Sequence, residues 1–195
     1  MNVILLIIIS YLIGCFSSAY LIGKIFKKMD IRSYGSGNAG ATNAVRVMGK
    51  KLGVLTFLLD FTKGIIAVLL GYRMMGYNGG LIAAFFVVMG HDWPIFLGFK
   101  GGKGVATTIA CFAVLNFPIA LISVIIGITV ALTTRFVSLG SIVFFTIVPI
   151  LNIVNFNNFN KEFFIASIFL AIIGIYKHKE NIKRLKNGCE NRIGR

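Results

Sequence analysis

Acidic residues are scarce in this chain. Six aspartates and glutamates stand against twenty lysines and arginines, and charge of either sign makes up only 13% of 195 residues. A soluble globular domain carries about twice that share of charge, so a soluble fold is excluded. Cysteine is equally thin: Cys15, Cys111 and Cys189 are odd in number and far apart. That excludes a disulfide framework and a thiolate metal cluster. No grouping of His, Cys and carboxylate has metal-ligand spacing, so no bound metal is expected. The first apolar run, from Val3, has no basic stretch before it and no small-residue cleavage site. It is therefore expected to stay as a span and not to be removed as a signal peptide.

What is present is apolar. The chain is 57% hydrophobic with a mean hydropathy of +0.87, in long runs that belong in a bilayer. A net charge of +14 would suit nucleic acid. However, the bases gather in short segments between apolar runs, as the positive-inside rule requires of cytosolic loops. No nucleic-acid partner is expected, and membrane lipid takes that place.

The run Gly98-Phe99-Lys100-Gly101-Gly102-Lys103-Gly104 interrupts the apolar pattern near the middle of the chain. Glycines let successive backbone N–H groups point inward, and an apolar helix starting at Val105 would add its N-terminus; both favour a bound anion. A nucleotide-binding P-loop is excluded, because Gly104 stands where serine or threonine must follow the lysine. The plainer alternative is a tight turn between helices.

The first span is read as Val3 to Phe26, followed by a basic segment in which Asp30 is the single acid. This segment is expected to be cytosolic and the N-terminus outside. Within it, Gly35 to Arg46 is too poor in apolar residues for a span and too rich in glycine for a solvated helix. The second span, from about Gly53 to Leu70, carries Asp60 and Lys63, three apart on one helical face and expected to pair within the protein. An outer turn of Arg73 and Tyr77 to Gly80 leads to a third span from Leu81, which ends at His91-Asp92-Trp93-Pro94. His91 is read as structural.

Val105 to Thr134 would make a helix of about 45 Å, too long for a hydrocarbon core of about 30 Å. As a single span it would also leave the basic C-terminal tail, from Lys177 to Arg195, outside. Splitting it at Asn116-Phe117-Pro118 restores the charge rule. Val137 to Val154 then goes out, an outer loop follows from Asn155 to Glu162, and Phe163 to Tyr176 returns. The fold class expected is thus an all-α integral membrane protein of seven transmembrane helices, forming one domain over residues 1–195 with a cytosolic C-terminus. The Ser36–Arg46 segment, the glycine-lysine loop, the Arg135–Ser141 segment and the tail all fall on the cytosolic face.

Those four segments hold the chemistry. Arg46 offers a bidentate fork for phosphate oxygens, Lys103 a point charge, and Gly40, Gly101, Gly102 and Gly104 backbone amides. Ser36, Thr42, Ser138 and Ser141 could add hydroxyls, and Asn38, Asn43 and Asn181 amides. Ser36 with His178 is the pair that could act in nucleophilic catalysis, although no orienting carboxylate can be assigned. Ile182 and Leu185 lie three apart in the tail, consistent with a short amphipathic surface helix.

Taken together, Ser36-Gly37-Asn38, Ala41-Thr42-Asn43 and Arg46, then Gly90-His91, Pro94, Phe96 and Gly101 to Thr107, then His178, Asn181-Ile182, Arg184-Leu185, Gly188 and Glu190 resemble the three signatures of the bacterial membrane acyl-phosphate:glycerol-3-phosphate acyltransferases. The resemblance covers residues 1–195. Lys177 departs from an arginine common in that family, and Cys189 from a small polar residue.

The resemblance implies transfer of a fatty acyl group from acyl phosphate to the sn-1 hydroxyl of glycerol 3-phosphate. Lysophosphatidic acid and inorganic phosphate are the products, at the first acylation step of phospholipid synthesis. It implies no cofactor, and a place in the bacterial cytoplasmic membrane with the site on the cytosolic side. An upstream enzyme producing acyl phosphate is the expected partner. Ser36, Arg46, Lys103, His178 and Asn181 are the expected catalytic residues. Asn38, Gly40, Thr42, Asn43, Gly101, Gly102, Gly104, Ser138, Ser141 and Arg184 are expected to bind substrate, and Asp60, Lys63, His91 and Glu190 to support the structure. A permease for phosphorylated metabolites is the rival class, but it calls for midplane polar groups and an internal repeat.

Overall fold

The computed structural model describes residues 2–155 and 158–193. Phe156 and Asn157 of the expected outer loop, and Arg195 of the basic tail, lie outside the described residues. Among those residues the regular structure is entirely helical. The chain divides into two compact units, Met1–Val114 and Leu115–Arg195.

In the first unit, α1 (Val3–Cys15) begins where the Asn2 side chain accepts the Ile4 N–H at 3.1 Å. Extended backbone at Phe16 and Ser17 breaks the apolar run, and α2 (Ser18–Lys27) resumes it. After a 3-10 turn at Ile31–Ser33 comes α3 (Ala41–Met48), then the long α4 (Lys50–Asp92). Inside α4 the backbone leaves helical geometry only at Met75 and Gly76, where Gly76 takes φ +61 and ψ −153. A side chain would be strained there, so glycine hinges α4 into two arms. The outer turn expected over Arg73 to Gly80 is thus confined to two residues.

Helices in lipid gain little from apolar burial against one another and associate through close packing. α1 lies against the second arm of α4 at Gly14 and Gly90, where a Cβ on Gly14 would come within 2.9 Å of the Gly90 Cα.

One expectation is corrected here: the Ser36–Arg46 segment does not stay irregular. From Ala41 it is helical, and α3 owes this to packing rather than composition. Ala44 and Met48 are buried with Ala19, Ile22, Ile31 and Ala39 in an apolar cluster under the loop. Each large side chain buried from water contributes roughly 1.5–3 kcal/mol. A 3-10 turn at Ile95–Leu97 and the glycine-lysine loop then lead to α5 (Val105–Leu115).

In the second unit, α6 (Phe117–Thr134) starts at Asn116, whose side chain accepts the Ile119 N–H, with Pro118 in the first turn. The long apolar run is therefore divided at the position that the charge argument required. α7 (Val137–Val154) packs on α6 and contains Pro149. α8 (Lys161–Lys177) is capped by Asn160, which accepts the Phe163 N–H at 2.7 Å. His178 separates it from α9 (Lys179–Lys186), a short helix in the expected amphipathic stretch.

Among the described residues, four apolar helical stretches are long enough to cross a bilayer: Val3–Lys27, the hinged Lys50–Leu97, Phe117–Thr134 and Val137–Val154. α5 is apolar but shorter.

Candidate functional site

The first unit builds its polar face around Asn43. This buried side chain accepts the Ser36 backbone N–H at 2.9 Å and donates to the carbonyls of Tyr34 and Asn38, both at 3.0 Å, and of Ile31 at 3.4 Å. Its oxygen also receives Nη1 of Arg46 at 3.4 Å. Asn43, expected as a substrate contact, therefore has its amide engaged by the chain itself. Helix α3 sets the spacing: with Asn43 turned inward, Thr42 and Arg46 stand exposed, and Ser36 is exposed on the loop that Asn43 folds.

That loop is tied to the glycine-lysine loop. Asn38 Nδ2 donates to the Gly101 carbonyl at 3.3 Å. A second tie comes from Arg32, which grips Asp30 through Nε and Nη2 (2.7 Å to Oδ2) and donates Nη1 to the Leu97 carbonyl at 2.8 Å. The guanidinium lies over the Tyr20 ring. The Arg32 hydrogen bonds hold the Asp30 carboxyl below its ordinary range. An open groove of about 410 Å³ beside this clasp is lined by Asp30, Arg32, Ser33, Leu97, Gly98 and Lys100. Sequence reasoning missed Arg32 and Lys100; the available signal was Asp30, a lone acid among bases with an arginine two residues on.

In the glycine-lysine loop, several amides close the turn itself. Gly98 and Phe99 donate to Ile95 and Pro94, Lys100 to Leu97, and Gly102 to the His91 carbonyl at 3.0 Å. Gly101, Gly102 and Gly104 are buried, and Lys103 is half-buried beside the start of α5. Close packing against the end of α4 thus accounts for part of the glycine content, as the turn alternative required.

Beneath this loop lies a buried charge cluster. Asp60 and Lys63 pair at 3.2 Å, as their spacing implied. Lys63 Nζ also donates to the carbonyls of Gly14 (2.9 Å) and Phe16 (2.6 Å), at the break between α1 and α2, and lies 2.8 Å from His91 Nδ1. Ser18 Oγ, opening α2, donates to Asp60 at 2.7 Å. A single interhelical hydrogen bond in a membrane protein is worth only about 0.6 kcal/mol. Removing one partner, by contrast, strands a buried charge at a cost of about 3–5 kcal/mol. The cluster's chief effect is therefore to fix one arrangement of α1, α2 and α4.

The second unit presents its own group. His178 is buried at the end of α8, with Nδ1 2.7 Å from the Gly174 carbonyl and its ring near Phe145. A carbonyl only accepts, so Nδ1 carries the hydrogen and Nε2 is the proton-accepting nitrogen of the neutral ring. Asn181 Nδ2 donates to Glu190 Oε1 at 2.9 Å and Arg184 Nε to Oε2 at 2.8 Å, so Glu190 holds two residues that were expected to meet substrate. Ser141 Oγ donates to the Val137 carbonyl, while the buried Ser138 Oγ has no hydrogen-bond partner among the described residues. The tail returns past them, with the Ile193 N–H on the Arg135 carbonyl at 2.8 Å. Among the described residues no three His, Cys, Asp or Glu side chains are grouped to hold a metal.

Known proteins share both the sequence and the fold. The glycerol-3-phosphate acyltransferase family matches residues 4–188. Glycerol-3-phosphate acyltransferase of Thermoanaerobacter pseudethanolicus is 47% identical over 194 residues, covering 100% of this chain and 97% of the relative. That of Clostridioides difficile is 43% identical and spans 98% and 95% of the two chains. Crystal structures of PlsY (YgiH), an integral membrane glycerol 3-phosphate acyltransferase, superpose closely. The glycerol 3-phosphate form gives a TM-score of 0.92 at 38% identity, covering 98% of this chain and 96% of that one. The lysophosphatidic acid form gives 0.89 at 36%, covering 98% and 95%. Matches of this extent, on an all-helical apolar fold that brings together the polar segments of the first unit, show that this chain belongs to the glycerol-3-phosphate acyltransferase family.

Proposed function

We propose that this protein transfers a fatty acyl group from acyl phosphate to the sn-1 hydroxyl of glycerol 3-phosphate, releasing lysophosphatidic acid and inorganic phosphate. The observation that carries the reading is the Asn38–Gly101 hydrogen bond, which ties the segment bearing Ser36 and Arg46 to the loop bearing Lys103. Two stretches rich in phosphate-binding groups are thereby held in one compact unit. Both substrates carry phosphate, and one carries a chain that belongs in lipid.

Acyl phosphate is a mixed anhydride with phosphate as a good leaving group, so no covalent enzyme intermediate is needed. The glycerol 3-phosphate hydroxyl oxygen attacks the acyl carbon and forms the ester C–O bond. The anhydride C–O bond breaks, phosphate leaves with the electron pair, and the hydroxyl proton is passed on to it. In the first unit, Arg46, Lys103 and the amides of Gly40, Gly101 and Gly104 bind phosphate, with Asn38, Thr42 and Ser36 orienting substrate, while the Gly102 N–H is kept by the His91 carbonyl. In the second, His178 Nε2 accepts and relays the proton, while Asn181, Arg184, Ser138 and Ser141 contact substrate. No metal or cofactor is assigned to any step.

The reading includes seven membrane passages, with α1–α2, each arm of α4, α5, α6, α7 and α8 as the spans. The N-terminus is outside, and the site faces the cytosol of a bacterial plasma membrane. An enzyme that makes acyl phosphate is the expected supplier.

Purified protein given acyl phosphate and glycerol 3-phosphate should release phosphate and lysophosphatidic acid in equal amounts. The thioesters acyl-CoA and acyl carrier protein should not replace the donor. Activity with either thioester but not with acyl phosphate sinks the donor assignment. An acyl ester trapped on Ser36 sinks direct transfer.

A further inference from the structure

We propose that His91 is a positioning residue for the Lys103 ammonium, acting through Gly102; this rests on the reading that Lys103 binds a substrate phosphate. His91 ends the second arm of α4 and is buried between two different things. On one side Lys63 Nζ lies 2.8 Å from Nδ1. On the other side of the ring lies the backbone of Gly102. A Cβ placed on Gly102 would fall on His91 Nε2, and would sit 2.7 Å from both Cδ2 and Cε1. No side chain fits between them. The main chain repeats the contact, because the His91 carbonyl accepts the Gly102 N–H at 3.0 Å and would block a Cβ on Gly101.

The ring cannot easily shift. Lys63 is fixed by the carbonyls of Gly14, in α1, and of Phe16, at the break that follows it, and by Asp60 one turn away on its own arm of α4. A chain of short contacts therefore runs from Asp60 and Lys63 in the first arm of α4, through the imidazole, to the residue preceding Lys103. The far side of Lys103 is held as well: α5 begins two residues later, and Thr107 Oγ1 donates to the Asp60 carbonyl at 3.2 Å. A buried charge cluster of no evident chemical use thus acquires one. It places a lysine near the surface from below, and a displacement of about 1 Å in such a group can cost a hundredfold in rate.

The experiment pairs His91→Asn with His91→Ala, Gly102→Ala and the His91→Ala/Gly102→Ala double variant. Asn offers its Oδ1 to Lys63 where Nδ1 was, yet puts nothing at the Nε2 position. His91→Asn should therefore unfold at the wild-type temperature while the KM for one of the two phosphate substrates rises roughly tenfold, with kcat nearly unchanged. Gly102→Ala should lower kcat/KM about a hundredfold in the wild-type background, but less than about fivefold when His91 is already Ala, because the clash is gone. A wild-type KM in His91→Asn, or fully additive losses in the double variant, would overturn the proposal.

Hydrogen exchange gives a readout independent of the reaction. His91→Asn should speed exchange of the residue 101–104 amides and leave α5 protected, and an unchanged loop would also overturn it. If the wild-type protein transfers no acyl group, the functional reading falls, and the exchange result alone judges the placement of the loop by His91.

Discussion

Asn181 and Glu190 meet at 2.9 Å, the amide of one donating to a carboxylate oxygen of the other across the turn that follows α9. Arg184 takes the remaining oxygen. The turn is made possible by Gly188, at φ +69, and by the Cys189 N–H on the Arg184 carbonyl. One carboxylate thus orients two residues of the tail helix.

Replacing Glu190 tests this arrangement. Hydrogen bonds to a charged group are worth about 1.5–3 kcal/mol, so Glu190→Ala should lower thermal stability by a few degrees and activity by roughly tenfold or more. Glu190→Gln keeps an acceptor for Asn181 and should retain more of both. Equal behaviour of the two variants would show that the Asn181 contact contributes nothing.

Asn43→Ala removes a buried group that donates to three carbonyls and accepts from Ser36 and Arg46. Each carbonyl or amide left buried without a partner costs about 1–3 kcal/mol. The variant should unfold at a distinctly lower temperature and lose nearly all acyl transfer. Arg46→Ala, at an exposed position, should keep the wild-type melting temperature while raising KM for a phosphate substrate. A stable, active Asn43→Ala protein would contradict the assignment of Asn43 as the centre of the loop.

The clasp between Asp30 and Arg32 carries a pH signature. The folded carboxyl titrates below its unfolded value of about 3.9, so the clasp's stability is fully present above that pH and is lost as pH falls through the folded value. The pair is partly exposed, and its contribution should be about 1 kcal/mol or less. Melting temperature followed from neutral pH downward should drop less steeply in Asp30→Asn, which starts lower. Parallel curves for the two proteins would show that the clasp is not coupled to folding.

The division between what could be read and what could not follows the range of the forces. The split at Asn116 was legible because an N-cap and a first-turn proline are local signals. The Asp60–Lys63 pair was legible because helical spacing alone brings the two together. Helix α3 was not, since its stability comes from Ala44 and Met48 packing into a cluster assembled from other segments. His91 joining Lys63 from 28 residues away depends on how the two arms of α4 align once Gly76 turns the chain; the turn itself was legible, but that alignment is set by packing and has no local signal. For the candidate site, Ser36, Asn38, Arg46 and Lys103 stand out in the chain as polar groups in segments too rich in glycine or charge to be spans. The protein partners that Asn43, Asn181 and Arg184 take are visible only in three dimensions.

Native cysteines can test the membrane orientation without any engineered tag. Cys189 is exposed in the tail, whereas Cys15 and Cys111 are buried in the helices of the first unit. A membrane-impermeant maleimide should therefore react at one position in the native protein. If the C-terminus is cytosolic, intact cells should show no labelling, and inside-out vesicles should be labelled at Cys189 with Cys189→Ser as the blank. Labelling of intact cells would reverse the direction of α8 and place the basic α9 outside, against the charge rule from which the topology was argued.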